Sequence, residues 1–115
     1  MAPNTHDPVL LVDDADGVRR LTFNRPDALN AFDQELWYAT AEALEQAATD
    51  DDLRCVVVTG AGRAFSAGQD LGEMNDPSVF ADQEPGYHRL MPVLETFPKP
   101  VVAAVQGVAV GIGTT

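Results

Sequence analysis

The chain has 115 residues, 45% of them apolar and 7% aromatic, which suits one packed domain and is too short for two. That composition excludes a disordered chain. A formal charge of −11 argues against a general nucleic-acid or membrane-surface binder and obliges any anionic ligand to find local help.

Residues 1–7 read as a flexible polar tail, and residues 8–115 as part of a single domain. Val9–Val12 and Val18–Phe23 read as strands, with a turn-rich Asp13–Gly17 between them that predicts a hairpin. Residues 24–30 form a loop, and Pro26 ends the second strand. A helix starts near Asp33, a suitable N-cap with Gln34 and Glu35 in the first turn. Leu36, Ala39, Thr40, Ala43, Leu44 and Ala47 share one face at helical spacing, with Trp37 just off that stripe. Residues 49–52 make an acidic turn.

Cys55–Thr59 lacks polar alternation and predicts a strand buried on both faces, as in a parallel or mixed sheet. Cys55 then reads as a small buried hydrophobe. Residues 60–68 read as a loop, and residues 70–74 as the start of a short helix. Residues 87–95 read as helical despite Pro92. Val101–Val105 reads as a second buried strand, followed by a segment carrying Gly107, Gly111 and Gly113. The order of strands and helices predicts an α/β fold. The seven basic residues read most simply as scattered surface charge, although Arg25 and Arg63 flank the two most loop-like stretches. His6 and His88 form no metal or thiol pattern. No cationic apolar leader is apparent, and residues 101–113 are short of the about 20 residues needed to cross a bilayer. The expectation is a cytoplasmic protein.

The stretch AGRAFSAGQDL, residues 61–71, admits three chemistries. Gly60 and Gly62 begin like a dinucleotide fingerprint, but the third glycine position holds Phe65, and no Gly-Lys-Ser/Thr follows. Ser66 sits in a sequence resembling a nucleophile elbow. Its triad would need His88, with the acid between them, within 23 residues, whereas hydrolase triads gather from separate loops. The third chemistry uses bare main-chain amides. Small residues admit a ligand close to the backbone, and two glycine-rich turns after neighbouring strands can aim N–H groups at one developing oxyanion.

Three blocks, RPDALNAF, VVVTGAGRAFSAGQDL and KPVVAAVQGVAVGIG, together resemble the enoyl-CoA hydratase/isomerase, or crotonase, superfamily. The resemblance covers the N-terminal part of a usual member. It implies a crotonase-like (ClpP/crotonase) α/β spiral of ββα units, truncated after the N-terminal half, and homo-oligomers that are trimers or pairs of trimers. It implies an acyl-CoA thioester as partner, with coenzyme A part of the substrate and no separate cofactor or metal.

By position, the N–H groups of Gln69 and Ile112 become the oxyanion hole. Ala28, Ala67, Gly68 and Asp70 lie along the coenzyme A or its pantetheine arm, with Gly111 beside Ile112. Arg25 becomes a candidate for reaching the nucleotide phosphates. Thr115 stands where a hydratase carries a glutamate, which leans towards isomerase-like or atypical chemistry; Glu73 is a substitute base or a solvent-facing residue. The isolated chain is then expected to be weakly active or inactive. The other readings are a non-catalytic acyl-CoA-binding or assembly half-domain, with an exposed sheet edge after residue 105, and a serine hydrolase using Ser66.

Overall fold

The computed structural model describes residues 8–70, 72 and 85–109. The polar tail and most of the helix expected from residue 70 lie outside them. Strands β1 (Leu10–Ala15) and β2 (Val18–Phe23) lead into a 3-10 turn (Pro26–Ala28) and helix α1 (Gln34–Thr49). Strands β3 (Cys55–Gly60) and β4 (Ala64–Ser66), helix α2 (Gly86–Glu95), and strands β5 (Val101–Ala103) and β6 (Val108–Ala109) follow. One sheet has the order β1-β2-β3-β5; β4 and β6 form a second, two-stranded sheet. The β1·β2 pair is antiparallel, while β2·β3, β3·β5 and β4·β6 are parallel.

The hairpin is tighter than the composition of residues 13–17 suggested. β1 runs on to Ala15, leaving Asp16 and Gly17 as the turn, both at positive φ (55° and 81°). Two such residues match the right-handed twist of the flanking strands. Asp13 and Asp14 stay in the strand because Asp14 faces Arg19 across the ladder. The Asp14 carboxylate accepts hydrogen bonds from Nε and Nη2 of Arg19, each at 2.8 Å. That guanidinium holds Asp14 below the usual carboxylate range.

Arg19 also corrects the view of the basic residues as surface charge. It lies on the β2 face shared with Leu21 and Phe23, is 7% exposed, and donates from Nη1 to the Ala43 carbonyl at 2.8 Å. A buried charge is tolerable when paired and hydrogen-bonded in this way.

Helix α1 follows the predicted face. The Asp33 side chain accepts from Leu36 N–H at 2.9 Å, so the N-cap forms as expected. Leu36, Thr40, Ala43, Leu44 and Ala47 are buried, and so are Trp37 and Ala41. Trp37 lies off the sheet-facing stripe and is covered instead by α2 and the aromatic cluster. Its ring meets Phe32 at 4.6 Å and Tyr87 at 6.1 Å between centroids.

The last turn of α1 carries no basic residue. Lys99 supplies one from a distance, its ammonium donating to the Ala47 and Asp50 carbonyls at 2.7 Å each. A cation there satisfies free carbonyls and opposes the negative end of the helix dipole. Replacing Lys99 with methionine is expected to lower stability by about 1 kcal/mol. A urea titration followed by the fluorescence of the single tryptophan would read that loss; an unchanged midpoint would contradict the capping role.

Helix α2 is the expected segment begun one residue earlier, and it continues through Pro92. Thr96 closes it, bonding through N–H and Oγ1 to the Pro92 carbonyl at 3.2 and 2.9 Å.

Three strand expectations change. Residues 60–68 are not all loop, since Ala64–Ser66 pairs with β6 as a buried strand. β3 alternates: Val56, Val58 and Gly60 are buried, whereas Cys55, Val57 and Thr59 are half-buried. Helix α1 covers one face, while nothing among the described residues seals the other. β5 ends at Ala103, and Val101 and Val102 are exposed, as is Val105 beyond it. β5 is the last strand of the four-stranded order, so its far edge has no described partner. No helix among the described residues is long and apolar enough to cross a membrane.

Candidate functional site

The loop after β2 and the strand β4 organise one end of the sheet. Asn30 is at their centre. It has φ 56° and is fully buried, in the left-handed region that Asn adopts more readily than most side chains. Its Oδ1 accepts from Arg25 N–H at 2.8 Å. Its Nδ2 donates to the carbonyls of Ala61 (3.0 Å) and Ala64 (2.8 Å). One side chain therefore ties the 3-10 turn to both ends of the β3–β4 connection. Residue chemistry could have pointed here, because an Asn after a Pro-initiated loop suits a left-handed position; its long-range partners are not readable from spacing.

Ser66 is also fully buried. Its hydroxyl donates to the Asn30 carbonyl at 2.9 Å and accepts from Gly68 N–H at 3.1 Å. A hydroxyl so placed is a backbone brace. No imidazole bonds to it among the described residues, which removes the geometry a serine hydrolase requires.

Beyond Ser66 the chain zips against the first loop. Ala67 N–H bonds to the Leu29 carbonyl at 2.9 Å, Phe32 N–H to the Gly68 carbonyl at 2.7 Å, and Asp70 N–H to the Phe32 carbonyl at 2.9 Å. Ala28, Ala67, Gly68, Gln69 and Asp70 thus meet around this pair of segments. Phe32 and Gln69 form a parallel bridge. In such a bridge Phe32 bonds to the residues on either side of Gln69, so Gln69's own N–H and C=O point to the opposite edge. Among the described residues Gln69 N–H has no backbone acceptor. Gly111, Ile112, Glu73 and Thr115 lie outside the described residues.

Arg25 turns inward. Its guanidinium contacts Asp33 Oδ2 at 3.4 Å and Asp70 Oδ2 at 3.2 Å, and donates to the Ala31 carbonyl. Two carboxylates balance its charge, and it ties the two loops together. Asp33 divides its oxygens between Arg25 and the α1 cap.

A cavity of about 470 Å³ lies between α1, α2, β3 and β5, with Phe32, Phe65, Leu90, Met91 and Ala109 among its walls. Among the described residues no charged or titratable side chain lines it. Thr40 Oγ1, on its α1 wall, has no hydrogen-bond partner among the described residues. The described walls offer apolar volume and no acid or base. No group of three or more His, Cys, Asp or Glu suited to a metal occurs among the described residues.

The family model described as enoyl-CoA hydratase/isomerase matches residues 13–115. The chain is 46% identical over 105 residues to 1,2-epoxyphenylacetyl-CoA isomerase of Escherichia coli, covering 86% of this chain and 40% of that protein. It is 40% identical over 104 residues to 2,3-dehydroadipyl-CoA hydratase of the same organism, covering 90% and 41%. Among solved structures, an enoyl-CoA hydratase from Mycobacterium marinum superimposes with a TM-score of 0.84 at 47% identity, over 91% of this chain and 51% of that one. An enoyl-CoA hydratase/isomerase from Pseudoalteromonas atlantica gives 0.86 at 37% identity, over 91% and 41%. The chain thus spans about 40% of the length of these curated relatives. It has the α/β crotonase fold, matching about half of the full structures. The chain belongs to the enoyl-CoA hydratase/isomerase family.

Proposed function

We propose that this chain carries the thioester-polarising half of an acyl-CoA site. The observation that carries the reading is the orientation of Gln69, whose N–H points away from the bridge with Phe32. The second donor is the N–H of Ile112. β4 and β6 are parallel, with Ser66 opposite Ala109. In sequence Gln69 lies three residues past the first and Ile112 three past the second.

Two amides converging on a thioester oxygen stabilise the negative charge that moves there when a proton leaves the α-carbon. Coenzyme A enters as part of the substrate, along Ala28, Ala67, Gly68 and Asp70, with Gly111 beside the second donor. The acid and base come from groups outside those described, in a longer polypeptide or a second chain. Two similar proteins are named as a CoA-thioester isomerase and a CoA-thioester hydratase, which supports the thioester class. Thr115 in place of a hydratase glutamate favours isomerase-like chemistry. A second reading, a half-domain that binds acyl-CoA or assembles without turnover, is favoured by the exposed Val101, Val102 and Val105.

Titration of the chain with cinnamoyl-CoA tests the site. Polarisation of the conjugated thioester should move its absorption band to longer wavelength. Gln69→Pro deletes the N–H and should remove at least about half of that shift, as expected when one of two donors is lost. Gln69→Ala keeps the amide and should keep the shift. Failure of the chain to bind acyl-CoA, or an equal shift in Gln69→Pro, would sink the reading.

A further inference from the structure

Three residues outside the donor loop hold the β3–β4 turn and the β5–β6 turn together. Gln106 Nε2 donates to the Gly60 carbonyl and lies 3.4 Å from the carbonyls of both Gly62 and Ala64. Its Oε1 lies 3.3 Å from Thr59 Oγ1, which is also 3.0 Å from the Ala104 carbonyl. Gly107 has φ 61°, and a Cβ placed there would lie 1.9 Å from the Arg63 carbonyl oxygen. It forms a bridge with Ala64. The backbones of the two turns are therefore in contact, and Gln106 is the side chain that spans them.

These turns begin the two strands that lead to the proposed donors. The Ala64 carbonyl is shared: Asn30 bonds it at 2.8 Å, and Gln106 approaches it at 3.4 Å. A chain of contacts thus runs from the first loop through β4 to the β5–β6 turn. Oxyanion donors act only within a fraction of an ångström of their productive positions. The spacing of the strands that lead to them is one determinant of that placement.

We infer that Gln106 is a positioning residue. Its amide sets the separation of the β4 and β6 backbones and hence the placement of the Gln69 N–H, which follows β4. The inference rests on the acyl-CoA reading above. Gln106 contributes to carbonyl polarisation and not to capture of the coenzyme A moiety. Thr59 supports it, its single hydroxyl hydrogen shared between the Ala104 carbonyl at 3.0 Å and Gln106 Oε1 at 3.3 Å.

The test separates alignment from binding. Gln106→Met keeps the side-chain length and removes the amide. With cinnamoyl-CoA as probe, the long-wavelength shift should fall to about half or less of that of the unmodified chain, the loss expected for a misaligned donor. The dissociation constant of unacylated coenzyme A should stay within about threefold, under 1 kcal/mol. A full shift in a folded Gln106→Met would overturn the inference while leaving the acyl-CoA reading intact. No shift in the unmodified chain would remove that reading itself. Parallel loss of shift and of coenzyme A affinity would assign Gln106 a merely structural role. If Gln106→Met does not fold, Thr59 decides: Thr59→Val should lose the shift and Thr59→Ser should restore it. Equal behaviour of those two variants would overturn the inference.

Discussion

Asn30→Ala is expected to lower stability by roughly 3–5 kcal/mol, from three lost hydrogen bonds and a left-handed backbone position. The Arg25 N–H and the Ala61 and Ala64 carbonyls would each lose a partner. Small domains have about 5–15 kcal/mol in total, so the denaturation midpoint should fall by about a fifth or more, in rough proportion.

Asn30→Asp provides the sharper signature. It retains the acceptor for Arg25 N–H but turns the other oxygen towards two carbonyls. Burial and those carbonyls would raise the folded-state pKa of the new carboxyl above its unfolded value of about 3.9. Its penalty is then full above the folded pKa and shrinks as pH falls towards the unfolded one. This variant should gain stability relative to the unmodified chain between neutral pH and about pH 4. Parallel stability curves for the two proteins over that range would contradict the bonding assigned to Asn30.

Gly86→Ala is expected to undo the contact between α1 and α2. A Cβ at Gly86 would lie 2.2 Å from Trp37 Cβ and 2.8 Å from its Cγ. Both helices must separate to accept it, at a cost of about 1–3 kcal/mol for overpacking. The Gly86 N–H also bonds to Gln34 Oε1 at 2.7 Å, a link that separation would stretch. Because Trp37 lies at the contact and is 2% exposed, its emission should move to longer wavelength even where the strands persist. Unchanged emission and an unchanged urea midpoint would show that the two helices do not approach so closely.

Much of the frame follows from local pattern. The N-cap at Asp33, the buried stripe of α1 and the helix through Pro92 answer to side-chain chemistry over a few residues. The three sequence blocks were enough for the family and its fold. The errors have a common origin in partners distant along the chain. Asp13 and Asp14 look like turn residues until Arg20 and Arg19 are opposite them. Val101 and Val102 look buried because β-branched runs usually are; only strand order reveals the open edge. The small-residue loop at Gln69 stood out in the sequence, whereas Asn30 and Gln106, which tie its neighbourhood together, reach partners 31–46 positions away. Ser66 carried a misleading motif, and its burial against Asn30 gives it a bracing role.

The Lys99 contact has a consequence for the order in which this chain acquires structure. The β1–β2 hairpin is local and needs only microseconds once its residues are available. Helix α1 is complete in sequence at Thr49, yet its last carbonyls receive their ammonium from a residue 49–52 positions later. At 5–20 residues per second, a ribosome takes roughly 3–10 s to add that stretch. Until Lys99 is made, those last carbonyls have no ammonium to cap them, which leaves the end of α1 open to fraying. Closure of that end reports that the chain through α2 has been made, and it marks when the nascent polypeptide ceases to be a hairpin with a loose helix.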